Sequence, residues 1–317
     1  MSLQKTRSSA LNLKPCSLCC FPQSSGESLY AVACYEQDSS GAYIGEIVVI
    51  NSSTLTLVSR IEATGGVFRV HHSPENNLFY AVTTDGKCFF IDCDSLESRK
   101  YSHPEEPYFT DGRIFEDRIA FTSDSGRVYV LDREREEELW RTRAHRLKKA
   151  GDLECPAWSC DFLEKNLLVT AGDDGLVNLW DIRVTDEKPT LSWKNVDDSG
   201  TVFISRRDLT TFALGDYGQN YRLFNVRNGK IEIEKAVELL GGVWHVDYSL
   251  ESSHGICSVA CMQGGIAVIN KEFQVLAHVP DSKLTYGTGI HQTKEGTIQV
   301  AEVEFEDRRI NSFKFCF

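Results

Sequence analysis

The sequence has few of the residues and segments that mark several common protein classes. Only eight of its 317 residues are proline, so it has no Pro-rich linker. No apolar run approaches the roughly 18 residues of a membrane-spanning helix, so no membrane partner is expected. Basic residues are outnumbered, with 34 Lys and Arg against 46 Asp and Glu and a net charge of −12. We expect no nucleic-acid partner, because binding a duplex requires a basic face.

The first 26 residues carry no acidic residue, and this allows two interpretations. Lys5, Arg7 and Lys14 fit a transit peptide, which is basic and poor in acids. Residues 8–20, however, mix polar and apolar types, and Leu11 and Leu13 alternate with polar neighbours as in a strand. We favour the strand, and with it a cytoplasmic protein.

The chain has eleven cysteines, and their spacing decides between metal ligands and buried thiols. Cys16, Cys19 and Cys20 form a C-x-x-C-C motif, but no second pair and no His-x-x-x-His motif stands at zinc-finger distance. Other cysteines lie in strand-like apolar segments, where a free cysteine behaves as a small buried hydrophobe. We therefore expect reduced, buried thiols, with no metal and no cofactor.

A repeat of paired strands runs along the whole chain. Short β-branched and aromatic runs are joined in pairs by polar turns such as Asp85-Gly86 and Asp173-Asp174-Gly175, seven times in all. The second run of each pair ends 40 to 49 residues after the previous one. Such a period is typical of a β-propeller with four strands per blade. We predict an all-β, seven-bladed propeller that occupies residues 1–317 as a single domain. The outer strand that closes the ring is expected near residues 10–13, within residues 1–26.

The fourth repeat resembles a WD repeat. It reads L-L-V-T-A-G-D-D-G-L-V-N-L-W-D from Leu167 to Asp181, and Ala144-His145 upstream takes the position of the Gly-His pair of that family. The resemblance implies a buried hydrogen-bond network of His145, Asp174 and Trp180. It also implies that residues 146–156, directly after His145, are an insertion. A His–Asp pair is also part of a catalytic triad, but we favour the structural network.

Aromatic residues recur where the first strand of several repeats begins. Trp158, Trp244 and Tyr286 all stand at this point, next to small residues or glycines that let backbones approach closely. Two interpretations remain open, since these rings can surround a central pocket or pack between blades.

No motif of a common enzyme active site is present. The G-x-S-x-G elbow, the Walker A loop, a G-x-G-x-x-G motif after a strand and H-E-x-x-H are all missing. The eight histidines form no ligand cluster by spacing. The fold class alone therefore favours an interaction scaffold.

Several motifs together resemble the WD-repeat proteins of diphthamide biosynthesis, the diphthine methyl ester hydrolases. These motifs are Ala144-His145, Ala157-Trp158, Gly172-Asp173-Asp174-Gly175-Leu176, Trp180-Asp181, Gly241-Gly242-Val243-Trp244, Ala260-Cys261-Met262 and Tyr286-Gly287. The resemblance covers roughly residues 27–317. It implies hydrolysis of the methyl ester of methylated diphthine on elongation factor 2, before a separate enzyme amidates the acid.

The implied substrate carries a trimethylammonium group as well as the ester. Aromatic faces and nearby carboxylates hold such a cation. We therefore expect Trp158, Trp244 and Tyr286 to bind it, together with Asp173 or Asp281.

An ester hydrolase also needs a nucleophile or an activated water, and donors for the oxyanion. The candidates are Asp173, Ser282, Cys261 and His145, and each has a structural alternative in a turn, a loop, a buried strand or the hydrogen-bond network. The alternative function is a non-catalytic WD-repeat scaffold, or an adaptor that recognises a peptide. No oligomerisation motif is visible, so a monomer is expected.

Overall fold

The regular structure is almost entirely β-strand in the computed structural model, which describes residues 1–147, 151–184, 188–197, 199–280 and 283–316. The exceptions in these ranges are a 3₁₀ turn, Pro74–Asn76, and a four-residue helix α1, Glu251–His254. None of the helices found there has the length or the apolar character that crossing a membrane requires.

The strands form seven four-stranded antiparallel sheets, numbered here in chain order, and one short hairpin. They divide into two compact units, which are described separately. The first unit comprises Met1–His103 and Leu239–Phe317 and contains the first, second, sixth and seventh sheets. The second unit comprises Pro104–Glu238 and contains the third, fourth and fifth sheets and the hairpin.

In the first unit each sheet takes four strands. The outer strand of the seventh sheet is β1 (Ser2–Ala10). The first sheet is β2 (Lys14–Pro22), β3 (Ser28–Gln37), β4 (Tyr43–Asn51) and β5 (Leu57–Ala63). The second sheet is β6 (Val67–Ser73), β7 (Leu78–Thr83), β8 (Lys87–Asp92) and β9 (Ser98–Ser102).

The second unit follows the same plan. The third sheet is β10 (Phe109–Phe115), β11 (Arg118–Ser123), β12 (Arg127–Asp132) and β13 (Glu138–Arg143). The hairpin is β14 (Arg146–Leu147) and β15 (Leu153–Glu154), and it lies in the predicted insertion. The fourth sheet is β16 (Ala157–Glu164), β17 (Leu167–Gly172), β18 (Leu176–Asp181) and β19 (Leu191–Lys194). The fifth is β20 (Thr201–Arg206), β21 (Thr211–Asp216), β22 (Asn220–Arg227) and β23 (Lys230–Glu238).

The chain then returns to the first unit for its last two sheets. The sixth sheet is β24 (His245–Asp247), β25 (Ile256–Ala260), β26 (Ile266–Asn270) and β27 (Val275–Val279). The seventh is β28 (Thr285–Gln292), β29 (Ile298–Glu304) and β30 (Arg309–Cys316), completed by β1.

The predicted turns join the second and third strands of the sheets. Gly175 adopts φ 67° between β17 and β18, and Gly126 adopts φ 79° between β11 and β12. Residues other than glycine rarely take this left-handed backbone. At Gly126 a Cβ would also lie 2.2 Å from the carbonyl oxygen of His145, so the neighbouring loop needs a glycine there.

Within each unit the sheets bury their apolar faces against one another. The first and second sheets share one core that includes Phe21, Ile47 and Phe79, all fully buried. Further cores lie between the seventh and first sheets and between the sixth and seventh. In the second unit the fourth sheet packs against the third on one face and the fifth on the other. Burial of this kind is the main favourable contribution to folding.

The first strands of successive sheets are also joined by hydrogen bonds from a backbone N–H to a polar side chain. These bonds run from Val70 N to Ser17 Oγ (3.2 Å), Ile204 N to Ser159 Oγ (3.1 Å), Arg206 N to Asp161 Oδ2 (2.7 Å) and Ile290 N to Asp247 Oδ2 (2.9 Å). Burial raises the pKa of both Asp161 and Asp247. The bonds fix the distance between neighbouring first strands, and so the position of the loops that precede them.

The outer strand of the seventh sheet lies earlier in the chain than predicted. The prediction placed it near residues 10–13, whereas β1 is Ser2–Ala10 and pairs with β30 from Ser2↔Cys316 to Ala10↔Arg309. Most of β1 is exposed, so its polar sequence lacks the apolar alternation that identifies a half-buried strand. Leu11 follows it as a buried residue, which explains why the apolar pattern begins late.

Ten of the eleven cysteines are buried, as the sequence predicts. Cys316, in β30, is the partly exposed one. Burial raises the pKa of Cys93, Cys155 and Cys261 to about 12. Thiol groups in such surroundings react slowly, because the thiolate is the nucleophile.

A thiol titration tests this burial. We expect about one of the eleven thiols to react rapidly with an aromatic disulfide reagent in the native protein, and all of them after denaturation in guanidinium chloride. The variant Cys316→Ala should lack the thiol that reacts rapidly. Rapid reaction of several thiols in the native protein would contradict the packing of the sheets that carry them.

Candidate functional site

The three residues of the predicted network, His145, Asp174 and Trp180, are buried and are linked by hydrogen bonds that include Thr170. The Nδ1 atom of His145 lies 2.9 Å from Oδ1 of Asp174, and its Nε2 atom lies 2.9 Å from Oγ1 of Thr170. Trp180 donates from Nε1 to the same Thr170 hydroxyl at 3.0 Å. An ionised carboxylate only accepts, so Nδ1 carries the proton, and in a neutral ring Thr170 then donates to Nε2. The network therefore accounts for every polar atom of the His145 ring.

The loop before β16 is held by this network. Asp174 also accepts hydrogen bonds from the backbone N–H groups of Arg146 (3.1 Å) and Leu176 (3.0 Å). Burial raises the pKa of Asp174, but its hydrogen bonds to His145 and to the backbone N–H groups of Leu176 and Arg146 outweigh this effect, so the pKa is lowered overall. A Cβ at Gly172 would lie 2.5 Å from the His145 ring, so glycine is required there. These contacts support the structural interpretation of His145 and Asp174.

Trp158 and Asp173 form a second pair in the second unit. Trp158 donates from Nε1 to Oδ1 of Asp173 at 3.1 Å, and both residues are partly exposed. A Cβ at Gly200 would lie 2.8 Å from the same oxygen, so this glycine leaves room for the carboxylate. The bond orients Asp173 where water can reach it. This geometry brings together one aromatic residue and one carboxylate of the predicted cation site.

Trp244 and Tyr286, the other predicted aromatic residues, contact each other in the first unit. Their ring centroids are 4.9 Å apart, Trp244 is 7% exposed and Tyr286 is partly exposed. The guanidinium carbon of Arg69 lies 5.1 Å from the centroid of the Trp244 ring, and Arg69 is itself 1% exposed. A protein cation therefore already occupies a face of Trp244.

Three further rings extend this pair, and sequence reasoning missed them. The ring of Phe305 lies 5.2 Å from that of Tyr286 and 5.5 Å from that of Tyr35. Tyr35 in turn lies 5.8 Å from Tyr43. The five rings of Trp244, Tyr286, Phe305, Tyr35 and Tyr43 form a continuous series, which we call the aromatic cluster. Its outer part opens into a cleft of about 330 Å³.

The remaining predicted residues do not join these groups. Cys261 is fully buried and its thiol pKa is raised to about 12 by burial, which favours its structural interpretation over a nucleophile. Asp281 and Ser282 lie outside the described residues. In the described part of the chain no cluster of three or more His, Cys, Asp and Glu side chains is arranged to hold a metal ion.

One serine–histidine contact was not predicted. His291 lies with Nε2 3.1 Å from Oγ of Ser52 and Nδ1 2.9 Å from the hydroxyl of Tyr30, and all three are buried. Burial lowers the pKa of His291 to about 4, so its ring is neutral at pH 7. Tyr286 and His291 lie at opposite ends of β28, about 17 Å apart at the usual rise of a strand. Ser52 is therefore too far from Tyr286 to act on a group bound there.

The buried pair of His145 and Asp174 gives a prediction for stability. We expect Asp174→Asn to lower the free energy of unfolding by about 1.5–3 kcal/mol at pH 7, because the charged acceptor of the hydrogen bonds from His145, Arg146 and Leu176 becomes neutral. The pKa of Asp174 is lowered in the folded state, so its contribution is complete above the unfolded value of about 3.9 and is lost as the pH falls through the folded value. Urea denaturation of both proteins at pH 7 and pH 3 measures the difference.

Asp181→Asn is the matched control. Asp181 belongs to the same sheet, and its pKa is also lowered, to about 2, by hydrogen bonding to Arg183 at the surface. Since exposed ion pairs contribute little, we expect a small change. Equal losses in the two variants, or a loss in Asp174→Asn that does not shrink at pH 3, would be inconsistent with the network.

Comparison with known proteins gives one sequence relative and a fold. No protein-family profile matches the chain. It is 24% identical to diphthine methyltransferase of Homo sapiens over 185 residues, which are 54% of this chain and 39% of that protein. The chain thus spans about two-fifths of that relative. Its fold is similar to the WD40 β-propeller domain of Doa1, with a TM-score of 0.71 and 10% identity over 98% of this chain and 96% of that one. The predicted all-β, seven-bladed WD-repeat propeller is confirmed, and the chain is a WD-repeat protein distantly similar to diphthine methyltransferase.

Proposed function

We propose that the chain acts in diphthamide biosynthesis as an ester hydrolase. The proposed reaction is the hydrolysis of the methyl ester of methylated diphthine on elongation factor 2, which releases methanol and leaves a carboxylate for amidation. The distant likeness to diphthine methyltransferase supports a role in this modification. The proposed enzyme works as a cytoplasmic monomer and requires no cofactor.

The observation that carries the proposal is the contact between Trp244 and Tyr286. The sequence suggested both as ligands of a trimethylammonium group because each precedes or begins the first strand of its sheet. Their rings lie 4.9 Å apart and continue into the aromatic cluster. Aromatic faces attract a cation that cannot donate hydrogen bonds. An aromatic surface of this kind suits a substrate that carries a fixed positive charge.

Among the catalytic candidates, Asp173 has the geometry most suited to activate water. Its carboxylate is partly exposed and held by Trp158, so its orientation is fixed before a substrate binds. A general base must reach the water from which it takes a proton, and a pre-oriented carboxylate lowers the cost of that step.

The alternative function is a non-catalytic scaffold. The observation that favours it is the Arg69 guanidinium over Trp244, which fills the ring face that a substrate cation would use. In a scaffold this contact stabilises the loop before β24 and needs no ligand. WD40 propellers typically mediate protein interactions, so this alternative agrees equally with the fold.

One assay separates the two functions. Purified protein is incubated with methyl-esterified elongation factor 2, and intact mass is followed for a loss of about 14 Da, the change expected when a methyl ester becomes an acid. We expect Trp244→Leu to slow this loss at least about tenfold, because Trp244 packs against Tyr286 and its removal disturbs the aromatic cluster that receives the cation.

Trp140→Leu provides a matched control in the second unit. Trp140 is 6% exposed and packs against Trp180, so its replacement removes a similar buried ring without touching the aromatic cluster. If Trp244 has a specific role in the reaction, Trp244→Leu slows ester hydrolysis and Trp140→Leu does not. No mass loss with folded wild-type protein would refute the hydrolase and favour the scaffold.

A further inference from the structure

The aromatic cluster has an inner and an outer part that differ in access. The inner ring, Trp244, is 7% exposed and has the Arg69 guanidinium carbon 5.1 Å from its centroid. Tyr35, Tyr43 and Phe305 in the outer part are each partly exposed. A cation from solvent can therefore reach the outer rings without displacing a buried arginine.

The outer rings line a cleft whose walls are partly aromatic and partly polar or charged. The cleft has a volume of about 330 Å³, and its lining is Lys14, Tyr35, Glu36, Gln37, Tyr43 and Phe305. The rings meet at steep angles, 69° between Tyr35 and Tyr43 and 53° between Tyr35 and Phe305. Rings inclined to one another in this way border the open cleft, and the sites that hold quaternary ammonium ligands are built from several such aromatic rings.

An ammonium group of the protein already rests in this cleft. The Nζ atom of Lys14 lies 5.0 Å from the centroid of the Phe305 ring and 2.9 Å from Oε2 of Glu306. The side chain of Lys14 is 27% exposed, so it is held at the surface and can move away. The contact shows that the Phe305 face accepts a positively charged nitrogen.

Each carboxylate beside the cleft is paired with a cation of the protein. Glu36 lines the cleft with a carboxylate that is 2.6 Å from Nη2 of Arg308, and Glu306 lies beside Lys14. Displacement of Lys14 would leave Glu306 as an additional carboxylate near the rings. Carboxylates next to aromatic faces add Coulomb attraction to the interaction with the rings.

We propose that this outer cleft binds a methylated ammonium group, and that Lys14 is the internal ammonium that the ligand displaces. The assignment of the ligand to the trimethylammonium of methylated diphthine rests on the proposed function. The cleft itself selects by charge and shape. A trimethylammonium group suits it because it is weakly hydrated, makes contact through methyl groups and needs no hydrogen-bond acceptor.

Binding of two small probes tests the proposal directly. The probes are capped Nε-trimethyllysine and its neutral isostere, in which a carbon atom replaces the charged nitrogen. We expect the charged probe to bind at least about tenfold more tightly, measured by calorimetry and by protein NMR shifts. Equal affinities would show that the cleft does not recognise the positive charge, and either this result or no binding of the charged probe would overturn the proposal.

Three variants locate the site. Phe305→Leu and Tyr43→Leu should each weaken binding of the charged probe about tenfold, because each removes an aromatic face. Lys14→Gln should tighten it about threefold, because the internal competitor is gone and the polar stem remains. Weaker binding in Lys14→Gln, or no change in either aromatic variant, would contradict the assignment of this cleft.

Phe115→Leu is the matched control. The guanidinium carbon of Arg206 lies 4.7 Å from the Phe115 ring in the second unit, so this variant removes a similar cation–π contact elsewhere. It should leave the affinity unchanged, and thermal melting of every variant checks that it is folded. The ester assay remains independent of these measurements. Probe binding without ester hydrolysis would retain the cleft and reject the hydrolase, and hydrolysis without probe binding would do the reverse.

Discussion

A four-stranded sheet has two apolar faces and cannot cover them by itself, so each sheet of this protein needs neighbours. Within each unit the neighbouring sheets supply the cover, and the cores lie between them. Backbone-to-side-chain bonds such as that from Ile290 to Asp247 then fix the spacing of the first strands. The aromatic cluster follows from this packing, because its rings come from the first, sixth and seventh sheets.

The hydrogen-bond network that makes a WD repeat recognisable is complete in the fourth sheet. Other sheets pair the polar groups at this turn with different residues. At the equivalent turn in the second, fourth and fifth sheets, the acceptor of hydrogen bonds is the carboxylate of Asp85, Asp174 and Asp216, respectively. In the third sheet the acceptor is Glu106, which precedes β10 and accepts a hydrogen bond from the hydroxyl of Tyr129 at 2.9 Å. The requirement is physical, since a buried donor or acceptor must be paired, and several residue types satisfy it. This explains why the fourth repeat resembles the family most clearly.

The sequence was sufficient to predict the fold and to place Trp244 and Tyr286 where the first strands of their sheets begin. That these residues bind a substrate stays a prediction. Alternating apolar strands and Asp-Gly turns are local signals, and both aromatic residues share a position relative to their strands. β1 could not be located well, because an exposed outer strand has no apolar alternation. Phe305 could not be predicted to meet Tyr35, because they lie in different sheets and their contact exists only once those sheets pack. The position of Arg69 over Trp244 likewise depends on tertiary packing.

The single-domain organisation stays a prediction. The substrate and the catalytic group are proposals, and the substrate proposal concerns how a partner binds to the aromatic cluster. Hydrogen–deuterium exchange of the whole chain, with and without methyl-esterified elongation factor 2, locates the surface that this partner covers. We expect slower exchange in residues 35–43, 284–287 and 305–308, which carry the outer rings and Tyr286. Protection confined to Pro104–Glu238, with these segments unchanged, would contradict this expectation.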